Sequence, residues 1–278
     1  MKDRLRISAI SYLNTAPLMW DFEHGQAGAD FDISYTIPSA CAAELREGVA
    51  DIGIIPAAAY VTIPDLLILP GVAIAARRAV RSILLVSKVP LEAIRSVALD
   101  NSSLTSVALT KVLFAKWMGG GRVFRDMAPD LGVMLEECDA GLIIGDPALR
   151  VNRSRYQTYD LAEEWIRRTG LPFVFAFWAV RASAAERFGA ADLAQIFQSS
   201  RDHGLQPANL DRIAQDWCGR LGVSVAAIRS YLTENIHYFL DPKCLQGLQL
   251  FYGYAEECGA LPQAPALHFL ELAKPVVR

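Results

Sequence analysis

The sequence predicts a two-lobed α/β protein with a ligand cleft between its lobes. Its 278 residues exceed the roughly 100 to 200 residues of a typical domain, which favours two lobes. Hydrophobic residues make up 53% of the chain and charged residues 21%, a composition that supplies a well-buried core. Short β-rich runs alternate with helical ones as far as residue 181, and this alternation is typical of a largely parallel sheet covered by helices.

The first part of the chain contains five β-rich runs and one well-marked helix. The runs are LRISAI, DFDISYTI, VADIGIIP, LLILPG and RSILLVS. Between the second and the third, SACAAELREG places Ser39 at an N-cap position and Gly48 just beyond the last turn. This punctuation predicts a short helix.

A second α/β unit starts near residue 90. It reads as strand RSVALD, helix VALTKVLFAKWM, strand RVF, helix PDLGVMLEE and strand AGLIIG. The sequence DLAE, from Asp160 to Glu163, is a capping box and predicts a helix that ends at Gly170. After the β-rich run LPFVFAFWAVR the pattern is helical, and AAIRSYLTENIHYFL is one of the predicted tail helices.

This layout predicts how the two lobes are assembled. Residues 1–87 and 178–278 form a discontinuous first lobe, which the helical C-terminal part extends, and residues 88–177 form an inserted second lobe. Ligands of open α/β sheets bind beyond the carboxyl ends of the strands, and binding sites favour domain interfaces. We therefore expect the site at strand-to-helix turns that face the cleft.

Charge and apolar run length exclude two classes of partner. Lys and Arg number 27 against 30 Asp and Glu, so the chain lacks the basic excess that binding to a phosphate backbone requires. Its longest apolar runs fall far short of the roughly 20 residues that span a bilayer, and the N-terminus has no long apolar segment of a signal peptide. We expect a cytoplasmic protein with no nucleic-acid partner and no membrane contact.

Metal and cofactor motifs are missing from the sequence. The five cysteines and four histidines are scattered, and no cysteine pair has the C-x-x-C spacing of zinc or redox sites. The chain has no P-loop, no G-x-G-x-x-G after a strand, no G-x-S-x-G and no H-E-x-x-H. We expect no metal and no cofactor, and nucleotide, acyl-transfer and zinc-hydrolase functions lose their usual support.

Two turns place uncharged polar side chains directly after an apolar strand. SYLNTAP offers Ser11 and Asn14 but no acid or base, and NSSLTS gathers Ser103, Thr105 and Ser106 at the start of a helix. The free N–H groups and partial positive charge of a helix N-terminus favour a carboxylate or phosphate. One hydroxyl suffices for plain N-capping, so the surplus hydroxyls indicate an anion site.

Two further turns have the same form and leave two interpretations open. In GLIIGDPAL, Gly145 and Asp146 follow an apolar strand, and Asp146 either contacts a ligand hydroxyl or caps the helix that Pro147 begins. In VADIGIIPAAAY, Pro56 opens a helix of small residues. That stretch fits close packing on the sheet as well as approach of the backbone to a ligand.

Six stretches occur in the order found in the chorismate dehydratase family of the futalosine route to menaquinone. They are ISYLNTAPL, GVADIGIIPAAAY, RSILLVS, DNSSLTSVALTKVLF, LIIGDPAL and YDLAEEWIRRTGLPFVFAFWAVR. The chain resembles that family over nearly all of residues 5–181, and its helical tail resembles the family only in general character. The resemblance implies a type II periplasmic-binding-protein-like fold and the conversion of chorismate, a dianion, to 3-[(1-carboxyvinyl)oxy]benzoate and water.

The resemblance also implies roles for individual residues. Asn14 and Ser82 are expected nearest the reacting ring as catalytic residues, and the hydroxyls at the start of NSSLTSVALTKVLF are expected to hold a carboxylate. The substrate-binding set implied in this way is Ser11, Pro56, Ser103, Thr105, Ser106, Gly145 and Asp146.

The lack of His, Glu and Lys in these turns suggests the source of the base. We hypothesise that the enolpyruvyl carboxylate of the substrate removes the proton, and Asp146 is the one ionisable side chain in the turns that contradicts this hypothesis if it acts as the base. Two other functions stay open. One is the related enzyme of the same pathway that forms dihydroxynaphthoate from a cyclic futalosine derivative, and the other is a non-catalytic small-anion binding protein.

Overall fold

Two five-stranded sheets form the framework of the protein. The computed structural model describes residues 4–271, except for the side chains of residues 190 and 191. The strands of the described chain are β1 Leu5–Ile10, β2 Phe31–Thr36, β3 Ile52–Pro56, β4 Leu66–Ala76, β5 Ile83–Ser87, β6 Ser96–Asp100, β7 Val123–Met127, β8 Ala140–Ile144, β9 Gln157–Asp160 and β10 Phe173–Arg181.

The two sheets share one topology. The first has the strand order β2-β1-β3-β10-β4 and the second the order β7-β6-β8-β5-β9. In each sheet, the first three strands are parallel to one another. The fourth strand, β10 in the first sheet and β5 in the second, is antiparallel to the third. The α/β fold with largely parallel strands is therefore confirmed.

Helices cover both sheets and form the tail. They are α1 Trp20–His24, α2 Pro38–Arg46, α3 Ala57–Tyr60, α4 Thr105–Trp117, α5 Leu131–Glu137, α6 Gly145–Leu149, α7 Leu161–Thr169, α8 Ala182–Phe188, α9 Ala190–Gly204, α10 Pro207–Leu221, α11 Val225–Ser230 and α12 Pro242–Glu257. Shorter 3-10 turns span Leu13–Met19, Ala27–Asp30 and Leu91–Ala93. None of the helices within residues 4–271 is both long and apolar enough to cross a membrane.

The predicted division into lobes stays a prediction. Strand pairing joins β5 to β8 and β9 in the second sheet, and it joins all of β10 to β3 and β4 in the first. The chain therefore passes between the sheets at residues 77–82 and 161–172, a few residues before the predicted lobe boundaries at 87/88 and 177/178. Residues 1–3 and 272–278 of the predicted first lobe lie outside the described residues.

The capping signals around α7 are confirmed. The Asp160 carboxylate accepts the N–H groups of Ala162 and Glu163 at 3.1 and 3.2 Å, and Gly170 ends the helix with a φ of 71°. At α2 the predicted start is two residues late, because Ile37 and not Ser39 is the N-cap, and the helix begins at Pro38, which is favoured at the first helical position.

One predicted tail helix is wrong in its second half. AAIRSYLTENIHYFL begins as α11 but widens into a π-helix over Tyr231–Asn235 and is not helical from residue 236 onward. There the backbone of His237 exchanges two hydrogen bonds with Ala75 of β4, at 2.8 and 2.9 Å. This pairing with the first sheet replaces the helix that the local sequence favours, and it lays the segment along the chain passage at residues 77–82.

Candidate active site

A cavity lies where the carboxyl ends of the two sheets meet. It contains about 450 Å³ of space that no protein atom fills, part of which is open to solvent. Its walls come from the turns after β1, β3, β6 and β8, from the chain passage before β5 and from β10. The lining residues are Ile10, Tyr12, Asn14, Pro38, Pro56, Ile74, Ser82, Ile83, Ser103, Thr105, Ser106, Ile144, Gly145, Phe175 and Ala176.

The cavity wall carries no side chain that is charged at neutral pH among the described residues. Its polar groups are hydroxyls and one amide, and the rest of the wall is apolar. A bound anion in this cavity therefore depends on hydrogen-bond donors and helix dipoles.

The structure brings seven of the nine predicted site residues to this cavity. Those seven are Asn14, Pro56, Ser82, Ser103, Thr105, Ser106 and Gly145. The other two, Ser11 and Asp146, do not line it. Ser11 is exposed, its hydroxyl donates to the Thr36 carbonyl at 3.3 Å, and it faces an outer groove of about 860 Å³.

Asp146 lies outside the cavity wall and holds the 3-10 turn Leu13–Met19 in place. Its Oδ1 accepts the Leu13 N–H at 3.0 Å, which joins α6 of the second sheet to the 3-10 turn after β1. The same turn carries Asn14, which is only 9% exposed. Burial raises the pKa of Asp146 to about 6, although the Leu13 N–H and the nearby Arg150 act in the opposite direction. A substrate contact of Asp146 stays a prediction.

The backbone before Ser82 is held in an unusual conformation. Arg81 has a φ of 64°, the left-handed region that non-glycine residues rarely adopt. The Asp160 carboxylate accepts the N–H groups of Val80 and Arg81 at 3.1 and 2.6 Å, and the Gly145 N–H donates to the Ser82 carbonyl at 2.8 Å. These bonds from the second sheet fix Ser82, which is fully buried, at the wall of the cavity.

A tyrosine from the tail reaches the two predicted catalytic residues. The Tyr231 hydroxyl donates to Ser82 Oγ at 2.8 Å, and it also interacts with the Asn14 side chain. Tyr231 is 3% exposed, and burial raises its pKa well above the usual value for tyrosine. The sequence gives no signal for this contact, because Tyr231 sits in a segment that reads as an ordinary amphipathic helix.

The hydroxyls at the start of α4 have two different roles: one is bonded within the protein, and the others can bond a ligand in the cavity. Thr105 Oγ1 donates to the Phe175 carbonyl and accepts the Ala58 N–H, both at 3.0 Å, so it has no proton left for a ligand. Ser103 Oγ accepts the Ser106 N–H at 3.3 Å and keeps its own proton. The Ser106 hydroxyl has no hydrogen-bond partner among the described residues. A ligand carboxylate can thus receive bonds from Ser103, Ser106 and the first-turn N–H groups.

This division predicts different effects for two neighbouring substitutions. Ser106→Ala should lower the affinity for an anionic ligand about 10- to 100-fold, the contribution of one hydrogen bond to a charged group, and leave stability unchanged. Thr105→Val should instead lower the free energy of unfolding by about 2 kcal/mol, because it leaves the Ala58 N–H and the Phe175 carbonyl unpaired. Ligand titration and urea unfolding of both variants measure the two effects. Equal losses of affinity without loss of stability would contradict the assignment.

Tyr12 closes the cavity on the side of the outer groove. Its ring lies against Gly145, where an added Cβ would approach the ring carbons to 2.6 Å, and Gly145 has a φ of 65°. Tyr12 lines both the cavity and the outer groove, so its ring forms part of the wall that separates them.

A buried carboxylate that the sequence analysis did not single out lies behind this wall. Asp100 is 1% exposed, and its Oδ1 accepts the N–H and the hydroxyl of Ser102 at 2.9 and 2.6 Å. Its Oδ2 has no hydrogen-bond partner among the described residues. Burial raises the pKa of Asp100, although the hydrogen bonds from Ser102 act in the opposite direction. Asp100 does not line the cavity, and its position at the end of β6 is the one signal that the sequence offers.

One cluster of metal-ligand types lies away from the cavity. Ligand atoms of His237, Asp241 and Cys244 all lie within 4.8 Å of one another. The Asp241 carboxylate, however, bonds His237 and Arg77 at 2.6 Å and caps α12 through two backbone N–H groups. Burial raises the pKa of Asp241, but these bonds outweigh it and lower the value to about 2. An ion-paired helix cap accounts for the cluster.

Solved structures define the class of fold. A protein from Archaeoglobus fulgidus named AF1704 has a TM-score of 0.71 at 16% identity, over 93% of this chain and 98% of that one. The periplasmic aliphatic sulphonate binding protein SsuA from Escherichia coli has a TM-score of 0.64 at 15% identity, over 100% of this chain and 97% of that one. At these identities the likeness concerns the fold alone, and it confirms a periplasmic-binding-protein-like fold.

Sequence comparison places the chain in a family. A family model described as menaquinone biosynthesis matches residues 5–257. A curated protein from Thermus thermophilus named chorismate dehydratase is 30% identical over 275 residues, which cover 92% of this chain and 96% of that protein. The chain therefore belongs to the menaquinone biosynthesis family, as its sequence motifs predict.

Proposed function

We propose that this protein is a chorismate dehydratase, a hydro-lyase that converts chorismate to 3-[(1-carboxyvinyl)oxy]benzoate and water in the cytoplasm. The observation that carries the proposal is one cavity that combines Asn14 and Ser82 with the start of α4 and has no charged wall residue. The family and the name of the Thermus thermophilus relative support it.

The start of α4 is the proposed site for the ring carboxylate. Ser103, Ser106 and the first-turn N–H groups supply several donors, and the helix dipole adds roughly half a positive charge. Hydrogen bonds to an anion from fixed donors in a buried cavity are stronger than the same bonds in water. The site can therefore hold an anion without a lysine or arginine.

The same donors also favour the reaction itself. Removal of the proton at C3 of chorismate leaves an electron pair that is conjugated through the C1–C2 double bond with the ring carboxylate. Negative charge therefore grows on that carboxylate in the transition state, where preorganised donors are most effective. The pair then expels the C4 hydroxyl, which leaves as water after it gains a proton, and the ring becomes aromatic.

The proposed base is the enolpyruvyl carboxylate of the substrate. Within the described part of the chain, no Asp, Glu, His or Lys side chain lines the cavity. A carboxylate that loses water in this mostly apolar cavity gains basicity, because desolvation disfavours its charged form. Since the enolpyruvyl group is attached to C3 through its ether oxygen, its carboxylate can reach the C3 proton, remove it and deliver it to the leaving hydroxyl.

Asn14 and Ser82 are proposed to hold the reacting atoms in place. The Asn14 amide and the Ser82 hydroxyl are uncharged donors, so they bond the substrate oxygens without repelling a dianion. Both are held from outside, Asn14 through the turn that Asp146 fixes and Ser82 through the bonds to the second sheet. Pro56 and Gly145 contribute wall surface beside them.

Incubation of the purified protein with chorismate tests this function directly. Proton NMR should show chorismate signals replaced, in equal amount, by an aromatic ring with the 1,3-substitution pattern. A heated sample of the protein controls for spontaneous decomposition of chorismate. Chorismate that is bound but unchanged would point to a non-catalytic small-anion binding protein. Turnover of a cyclic futalosine derivative in its place would point to the dihydroxynaphthoate-forming enzyme.

A further inference from the structure

We propose that Tyr231 is a positioning residue, which turns the hydroxyl of Ser82 toward the substrate. The inference rests on the proposed function, since it concerns the same cavity. It adds to the reaction a residue from the tail, a part of the chain in which the sequence motifs place no site residue.

The proposal rests on the donors and acceptors that surround the Ser82 hydroxyl. Tyr231 donates its only proton to Ser82 Oγ at 2.8 Å, so Ser82 is the acceptor in this pair. The proton of Ser82 itself then needs another acceptor, and the Val80 carbonyl lies 3.5 Å away, at the limit of a weak bond. Because Ser82 lines the cavity, a substrate oxygen is the acceptor within reach.

The buried environment of Tyr231 keeps its hydroxyl protonated. The side chain is buried, and burial raises its pKa, as does the charge of Asp146, while the bonds to Ser82 and Asn14 lower it. The phenol therefore stays protonated throughout the working pH range of a cytoplasmic enzyme. It therefore keeps the proton that it donates to Ser82.

The segment that carries Tyr231 is tied to the passage that carries Ser82. Asn235 Nδ2 donates to the Ala79 carbonyl at 2.8 Å, and His237 pairs with Ala75 through two backbone bonds. The residues that lead up to these points, Tyr231–Asn235, adopt a π-helix, a conformation that is rare and frequently found at functional sites. Tyr231 is the first residue of this π-helix, and its side chain is buried.

Tyr231→Phe removes the hydroxyl and keeps the ring. We expect kcat with chorismate to fall about 10- to 100-fold, the range of one hydrogen bond to a centre of developing charge, with KM changed less than about threefold. The melting temperature, measured in parallel, separates this effect from unfolding. In a Ser82→Ala background, Tyr231→Phe should change kcat less than about twofold, because Tyr231 acts through Ser82.

Tyr238→Phe is the matched control on the same segment. Tyr238 is also buried, but its hydroxyl has no hydrogen-bond partner among the described residues and does not line the cavity. This variant should keep wild-type kcat. An active wild type with an unaffected Tyr231→Phe variant, or equal losses in the wild-type and Ser82→Ala backgrounds, would overturn the inference alone. A wild type that leaves chorismate unchanged would overturn the proposed function as well.

Discussion

Asn14→Asp is expected to lower kcat/KM for chorismate about a thousandfold. The side chain lies at the cavity wall, 9% exposed, where no cation lines the cavity in the described chain to offset a new carboxylate. Two like charges about 4 Å apart repel by about 4 kcal/mol at the effective dielectric constant of a protein, and each 1.4 kcal/mol is a factor of ten. The substrate is a dianion, so the repulsion acts on both the bound substrate and the transition state.

Steady-state kinetics of Asn14→Asp and Asn14→Ala separate charge from lost hydrogen bonding. Asn14→Ala removes the amide without adding charge, and we expect it to lose only about 10- to 100-fold. Raising the salt concentration should restore little activity to Asn14→Asp, because a buried pair of charges is poorly screened. An unchanged rate for Asn14→Asp would remove Asn14 from the site.

Gly145→Ala is expected to lower kcat/KM about a hundredfold. An alanine Cβ at this position would lie 2.6 Å from the Tyr12 ring, so the ring must leave its place between the cavity and the outer groove. Water then enters the cavity, and water weakens every electrostatic interaction with the substrate. Kinetics with chorismate measure the loss.

Gly170→Ala is the control for backbone strain. Gly170 has a φ of 71°, close to the 65° of Gly145, but an added Cβ would meet nothing within 4 Å. Both variants should lose about 1 kcal/mol of stability from the left-handed backbone, and Gly170→Ala should keep full activity. Equal activity of the two variants would show that the contact between Tyr12 and Gly145 has no role in turnover.

Most of the residues that line the cavity could be predicted from the sequence, because they lie at the carboxyl ends of strands. Pro56 ends β3, and Asn14, Ser103 and Gly145 follow the apolar strands β1, β6 and β8. The carboxyl ends of parallel strands meet at one edge of a sheet. The helix cap at Asp160 was also predictable, because a capping box is a local sequence signal. Periodicity and turn chemistry act over a few residues, and these features are set within that range.

The remaining features depend on contacts between distant parts of the chain. Tyr231 and Ser82 are 149 residues apart, and backbone pairing with β4 breaks the helix that the local pattern around Tyr231 favours. The hydroxyl of Thr105 is taken by β10 and α3, which its position at a helix start does not reveal. Asp146 also depends on a distant contact, because its hydrogen-bond partner Leu13 lies in the turn after β1 of the first sheet.

The uncharged cavity is proposed to let the substrate act as its own base, and the substitution Asp146→Asn distinguishes this base from a protein base. The amide oxygen still accepts the Leu13 N–H, so the turn that carries Asn14 keeps its support. Burial raises the pKa of Asp146 to about 6, so a catalytic base at this position would lose activity as pH falls through 6. The measurement is kcat and chorismate affinity of wild type and Asp146→Asn across pH 5 to 8. We predict that kcat of Asp146→Asn stays within about threefold of wild type, and that its pH dependence below pH 6 is the same as that of wild type. A variant that binds chorismate normally but no longer turns it over would contradict the claim and make Asp146 the base.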